Sequence, residues 1–161
     1  MSKAISIIMG SESDLETVKE AIKLLKEFKV GFQVKILSAH RTPKELAKYV
    51  EEAPRRGVKI FLAAAGGSAA LAGVIAAHTT LPVIGIPIET KSLKGLDSLL
   101  STAQMPAGIP VACMAIGKAG AKNAAIFAAE VLAINNKSLK TKLSAYKKAM
   151  RLKIRKTKIK I

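Results

Sequence analysis

Tryptophan is absent from the 161 residues, aromatic side chains make up only 4%, and the chain holds one cysteine and two histidines. One cysteine excludes a disulfide within the chain, and with two histidines it leaves too few soft donors for a zinc site built by one subunit. Cys113 lies in the apolar run "IPVACMAI", the setting of an inert buried thiol rather than a reactive one. The N-terminal "MSKAISIIMGSESD" reaches polar residues too soon for the apolar core of a signal peptide, so a cytoplasmic location is expected. Residues 60–88 contain no Asp, Glu, Lys or Arg, yet Gly66-Gly67, His78 and Pro82 cut the run into pieces of soluble length. No membrane span is expected there, because buried parallel strands and their covering helices read as the same continuous apolar sequence.

Acidic residues are scarce too, 11 against 27 Lys or Arg, for a net charge of +16. The excess is local. Residues 137–161 hold 11 of the cations and no acid, leaving the first 136 residues near +5. No aromatic interleaving or nucleic-acid motif accompanies the basic end, so a DNA or RNA partner ranks last among the readings. Leu139, Leu143, Tyr146 and Met150 recur there at helical spacing, which predicts a helix docked through one stripe with solvated lysines elsewhere. The final "RKTKIKI" is expected to fray. Two parts follow: a body over 1–136 and a basic helix and tail over 137–161.

Half of the composition is apolar, enough for a sizeable core, and its periodicity alternates between short strands and amphipathic helices. Strands are predicted at "AISIIM", "GFQVKIL", "VKIFLAAA", "PVIGIP" and "IPVACMAI". Between them, Leu15, Val18, Ile22 and Leu25 form one helical stripe, "SAALAGVIAAH" reads as a helix, and "GAKNAAIFAAEVLAIN" closes the body. Thr42, Pro43 and Glu45 make a helix start, with Thr as N-cap, Pro at the first helical position and Glu three residues after the cap. The alternation predicts an α/β fold: a flavodoxin-like, three-layer, doubly wound sheet of five parallel strands. Ligands bind such sheets outside the carboxyl ends of the strands, near the point where strand order reverses.

Three loops meet that description. "GSESD" joins Gly10 to Ser11, Ser13 and Asp14 at a helix start, where free amides and the helix dipole favour a phosphate, although Ser-x-Ser-Asp is also ordinary capping. Asp14 would repel an anion, so it suits sugar hydroxyls or stays a helix-start charge. In "SAHRTP", Arg41 can fork onto phosphate oxygens, Ser38 adds a hydroxyl, and the His40 imidazole belongs to the side-chain type that exchanges protons near neutral pH. "AGGSAA" offers small residues and amides that could admit a flat ring or a carboxylate. No Walker loop and no GxGxxG fingerprint occurs. His78, ahead of "TTLP", reads as a helix C-terminal residue. If the sheet is parallel, the three loops face one crevice suited to a phosphorylated sugar or nucleotide-like molecule and to proton transfer.

"MGSESD", "SAHRTP", "AAAGGSAALAGVIAAHTTLPVIGIP", "GLDSLLSTAQMPAGIPV" and "AIGKAGAKNAA", in this order, resemble the N5-carboxyaminoimidazole ribonucleotide mutase family of purine biosynthesis, the class I phosphoribosylaminoimidazole carboxylase catalytic subunits. The likeness runs from about residue 4 to 135. It implies a flavodoxin-like subunit in a homo-octamer, sites formed where subunits meet, a phosphorylated ribonucleotide substrate, and no metal or organic cofactor. By position, the resemblance assigns Ser11, Ser13, Ser38 and Arg41 to the phosphate and its neighbours, Asp14 to the ribose and His40 to general acid/base catalysis. Gly66, Gly67 and Leu71 would line the imidazole and carboxylate. A related class carboxylates aminoimidazole ribonucleotide directly and typically has lysine after the histidine; Arg41 and "AGGSAAL" favour the mutase. Many mutases have histidine and proline where this chain has Ala70 and Ala72, and arginine at Ala107. A non-catalytic binding module for a phosphoribosyl or flavin nucleotide is the alternative outside enzymes.

Overall fold

The computed structural model describes residues 3–157. Five parallel strands, β1 (Ile5–Met9), β2 (Phe32–Ile36), β3 (Ile60–Ala65), β4 (Val83–Pro87) and β5 (Ala112–Cys113), form one sheet in the order β2-β1-β3-β4-β5. This is the flavodoxin-like order predicted from the sequence, and it reverses between β1 and β3. Helices α1 (Leu15–Glu27), α2 (Pro43–Glu52), α3 (Leu71–Ala77), α4 (Leu96–Ala103) and α5 (Gly117–Ala133) connect or follow the strands, and α6 (Lys137–Lys156) ends the described chain.

The layering follows from the strands' period of two. Ile5, Ile7 and Met9 point to the face covered by α1 and α5, where Val18, Leu25 and a run of buried alanines from Ala121 to Ala129 complete one core. Ile8, Phe61 and Ala63 point to the other face and pack on Leu46 and Val50 of α2 and Leu71 and Ile75 of α3. Alanine along α5 brings its backbone close to the sheet. At Gly120 any Cβ would overlap the Ala115 carbonyl, so this contact admits only glycine.

The α6 stripe docks through its first half. Asn136 Oδ1 accepts the Leu139 N–H at 3.0 Å, Leu139 and Leu143 are buried, and Tyr146 meets Phe28 edge to face with centroids 5.4 Å apart. Lys142 Nζ donates to the Phe28 carbonyl at 2.8 Å. Met150, expected on the docked stripe, is 45% exposed because α6 has by then run past the body. The stretch 155–161, expected to fray, is helical through Lys156; residues 158–161 lie outside the described residues.

Two other expectations are corrected, and one helix is new. β5 is two residues long, not eight: it is the edge strand, Pro110 has no N–H for a ladder, and only Ala112 and Cys113 pair, with Ile84 and Gly85. Thr42 stands at the N-cap of α2, but its hydroxyl does not cap the helix. It turns back to accept the Ser38 N–H at 2.8 Å and to donate to the Ser38 carbonyl at 3.1 Å. α4 was not predicted as a helix. Its polarity is inverted, with Ser98 and Thr102 buried while Leu96 and Leu100 are about half exposed, so the apolar period points away from the core.

Candidate active site at the carboxyl edge of the sheet

The ladder continues one residue past three strands. Leu37 N–H donates to the Met9 carbonyl at 3.0 Å, Gly10 N–H to Ala64 at 3.1 Å, and Ile88 N–H to Ala65 at 2.9 Å. The loops after β1, β2, β3 and β4 therefore leave the sheet at one level, and they enclose a crevice of about 570 Å³.

After β1, Ser11 is the N-cap of a single 3₁₀ turn, Glu12–Asp14, that leads into α1. Its Oγ accepts the Ser13 hydroxyl at 3.0 Å and the Ser13 N–H at 3.4 Å, while Asp14 Oδ2 accepts the Ser11 N–H at 3.1 Å. This reciprocal pairing is a capping box, so the capping alternative for "GSESD" is realised, and the same residues line the crevice. Asp14 is buried. Burial pushes its carboxyl up, and the N–H groups of Ser11 and Gly10, the Ser13 hydroxyl and the Arg41 guanidinium offset that only in part.

After β2, the Ser38–Thr42 bonds close a short loop with Ala39, His40 and Arg41 at its tip. This is why Thr42 is drawn off its cap. Arg41 Nη2 donates to the Gly10 carbonyl at 2.8 Å, and Ser38 Oγ accepts the Arg41 N–H at 3.2 Å, so the guanidinium is tied to the β1 loop. His40 is exposed at the mouth of the crevice and has no hydrogen-bond partner among the described residues.

Of the nine residues singled out in the sequence, Ser11, Ser13, Asp14, Ser38, His40, Arg41, Gly66 and Leu71 line the crevice. Gly67 does not. With φ of +68° it turns the chain, and its N–H donates to Ser98 Oγ at 2.9 Å instead of facing a ligand. The sequence reading missed the fourth wall, Ile88, Glu89 and Thr90 after β4. It also missed the clamp behind that wall: Ser98 Oγ donates to the Ile88 carbonyl at 2.7 Å, and Thr90 Oγ1 donates to Asp97 at 2.8 Å. Ser98 thus joins the glycine loop to the β4 loop. Asp97 and Ser98 lie in the quoted motif "GLDSLLSTAQMPAGIPV", but nothing local gives them a role, because Ser98 and its partner Gly67 are 31 positions apart.

The other sequence candidates fall elsewhere. His78 ends α3, with Nδ1 3.1 Å from Glu51 Oε1, and lines a separate cavity at the amino edge of the sheet. Cys113 is half-buried, and burial pushes its thiol up, away from the reactive thiolate.

The crevice at the β1/β3 reversal thus gathers hydroxyls, a tethered arginine, a buried carboxylate and an open imidazole. The AIR carboxylase model matches residues 4–153. The chain belongs to the AIR carboxylase family. The match continues into α6, beyond the likeness read to about residue 135. N5-carboxyaminoimidazole ribonucleotide mutase of Pyrococcus abyssi is 52% identical over 147 residues, 91% of this chain and 83% of that protein. The mutase of Bacillus subtilis is 52% identical over 143 residues, 89% of this chain and 88% of that protein. The crystal structure of Treponema denticola PurE superposes with a TM-score of 0.85 at 28% identity, covering 93% of this chain and 92% of that one. Among the described residues, no helix is long and apolar enough to cross a membrane.

Proposed function

We propose that the protein is a cytoplasmic N5-carboxyaminoimidazole ribonucleotide mutase of purine biosynthesis, yielding 4-carboxy-5-aminoimidazole ribonucleotide. The observation that carries this is the gathering of Ser11, Ser13, Ser38, Arg41, Asp14 and His40 around one crevice in a chain about half identical to mutases. Ser11, Ser13, Ser38 and Arg41 hold the phosphate and its neighbours, Asp14 accepts from the ribose hydroxyls, and His40 moves the proton. Gly66 and Leu71 bound the imidazole, while Gly67 acts through the turn it makes.

The reaction balances with one shuttled proton. The exocyclic N–C bond of the carbamate breaks, its electron pair returns to nitrogen, and the His40 imidazolium supplies the proton that completes the amine. Carbon dioxide remains beside the ring, the ring carbon attacks it, and His40, now neutral, removes the proton from that carbon. Confinement replaces a second-order encounter with an effectively unimolecular one, so recapture outruns escape.

The protein works as a homo-oligomer, an octamer, with sites completed where subunits meet. Leu93, Leu96 and Leu100, each about half exposed on or beside α4, supply an apolar surface that such contacts would cover.

The test supplies N5-carboxyaminoimidazole ribonucleotide without ATP or bicarbonate and follows the ring-carboxylated product. Turnover above the spontaneous rate is expected. Efficient use of aminoimidazole ribonucleotide plus carbon dioxide instead would assign the direct carboxylase. His40→Asn should lower kcat by about 10²- to 10⁴-fold while sparing product binding; full activity in that variant would remove His40 from its role.

A further inference from the structure

Glu89 is a carboxylate on the wall of a crevice read as an anion site, and that reading gives it no task. Asp14, the other acid lining the crevice, accepts the Ser11 N–H and already has the ribose assigned to it. Glu89 is exposed and takes no hydrogen bond or ion pair among the described residues. Its backbone, by contrast, is held on both sides. Ser98 Oγ binds the carbonyl of Ile88, Thr90 Oγ1 is fixed by Asp97 and accepts the Gly95 N–H at 3.2 Å, and a Cβ at Gly95 would lie 3.2 Å from Glu89 Cα. The β4 loop thus presents an unpaired carboxylate from a fixed mount.

The strand order places that carboxylate relative to the other groups. The loops of β2 and β4 are separated by β1 and β3, three strand spacings or about 14 Å. A ligand whose phosphate lies on the hydroxyls and Arg41 at the β1 and β2 loops extends its base toward the β3 and β4 loops. Glu89 therefore meets the base end, where an anion accepts from N–H donors and repels carboxylates.

We propose that Glu89 is a specificity residue that accepts a hydrogen bond from the exocyclic amino group of the imidazole. This rests on the mutase reading of the crevice. In the carbamate substrate the same nitrogen keeps one N–H for Glu89, so the charge turns the carbamate carboxylate away from β4 and toward the ring carbon that receives it.

The experiment is calorimetric titration of the wild type, Glu89→Gln and Glu89→Ala with two ligands: 4-carboxy-5-aminoimidazole ribonucleotide and its analogue lacking the amino group. The wild type should prefer the amino ligand by about tenfold or more, the scale of a hydrogen bond to a charged acceptor. Glu89→Ala should erase that preference by weakening the amino ligand alone, and Glu89→Gln, whose carbonyl still accepts, should retain part of it. An undiminished preference in Glu89→Ala, or equal weakening of both ligands, overturns the assignment and leaves Glu89 a wall residue while the mutase reading stands. Failure of the wild type to bind either ligand overturns the mutase reading and this inference with it.

Discussion

Asp14 combines two demands that conflict in an isolated residue. As the acidic member of a capping box it must accept N–H bonds, and as part of the crevice floor it is buried, where charge is unfavourable. Its raised carboxyl binds a proton more tightly in the folded chain than in the unfolded one. The folded state therefore gains from Asp14 at pH below the ordinary carboxyl range, and loses that gain as pH rises through the raised value. Relative to Asp14→Asn, the wild type should lose stability with rising pH across that window and run parallel above it. Urea midpoints measured at a series of pH values check this, and parallel curves throughout would contradict it. Asp14, Ser11, Ser13, Ser38, His40 and Arg41 were legible in the sequence as residues of one crevice, because a parallel sheet delivers every strand-end loop to the same edge. Glu89 and Thr90 were not, since nothing in "IPIETK" distinguishes a crevice wall from an ordinary solvated loop.

Among the elements, α4 is the one that hydrophobic period could not reveal. Its Ser98 side chain is fully buried because it holds two loops at once, while its leucines face outward. The other helices put their apolar stripe inward, and α1, α3 and α5 were predicted near their observed positions. Strand length was legible where both faces are covered, and failed at β5, where an edge position and Pro110 shorten the pairing. Ser98→Ala should strand the Gly67 N–H and the Ile88 carbonyl without a partner, lowering stability by about 1–3 kcal/mol and raising KM as the two walls part. Chemical denaturation and steady-state kinetics measure the two effects. Unchanged KM in a folded variant would show that the walls hold their places without the clamp.

For the whole molecule, the uneven charge separates two surfaces. The outer half of α6 carries Lys147, Lys148, Arg151, Lys153, Arg155 and Lys156 alongside exposed Met150, Leu152 and Ile154. The α4 surface instead shows leucines, and assembly is expected to use it. Sedimentation should return a mass near eight subunits rather than the 17.0 kDa of one chain. Leu96→Lys with Leu100→Lys should yield smaller folded species with reduced turnover, because burying two ammonium groups unpaired in a contact is unfavourable by several kcal/mol. A wild-type mass of one subunit would overturn the assembly.

The bond from Arg41 to the Gly10 carbonyl has a further implication for how a ligand is received. A guanidinium offers five N–H groups; this bond occupies one of them, and the Nε–H, 3.5 Å from Ser38 Oγ, is a second. The side chain surrenders its rotamer freedom, on the order of 1.5–2 kcal/mol for arginine, when the chain folds rather than when a phosphate arrives. Capture of the substrate can then begin from a grip that is already set, with the remaining donors free to close on it.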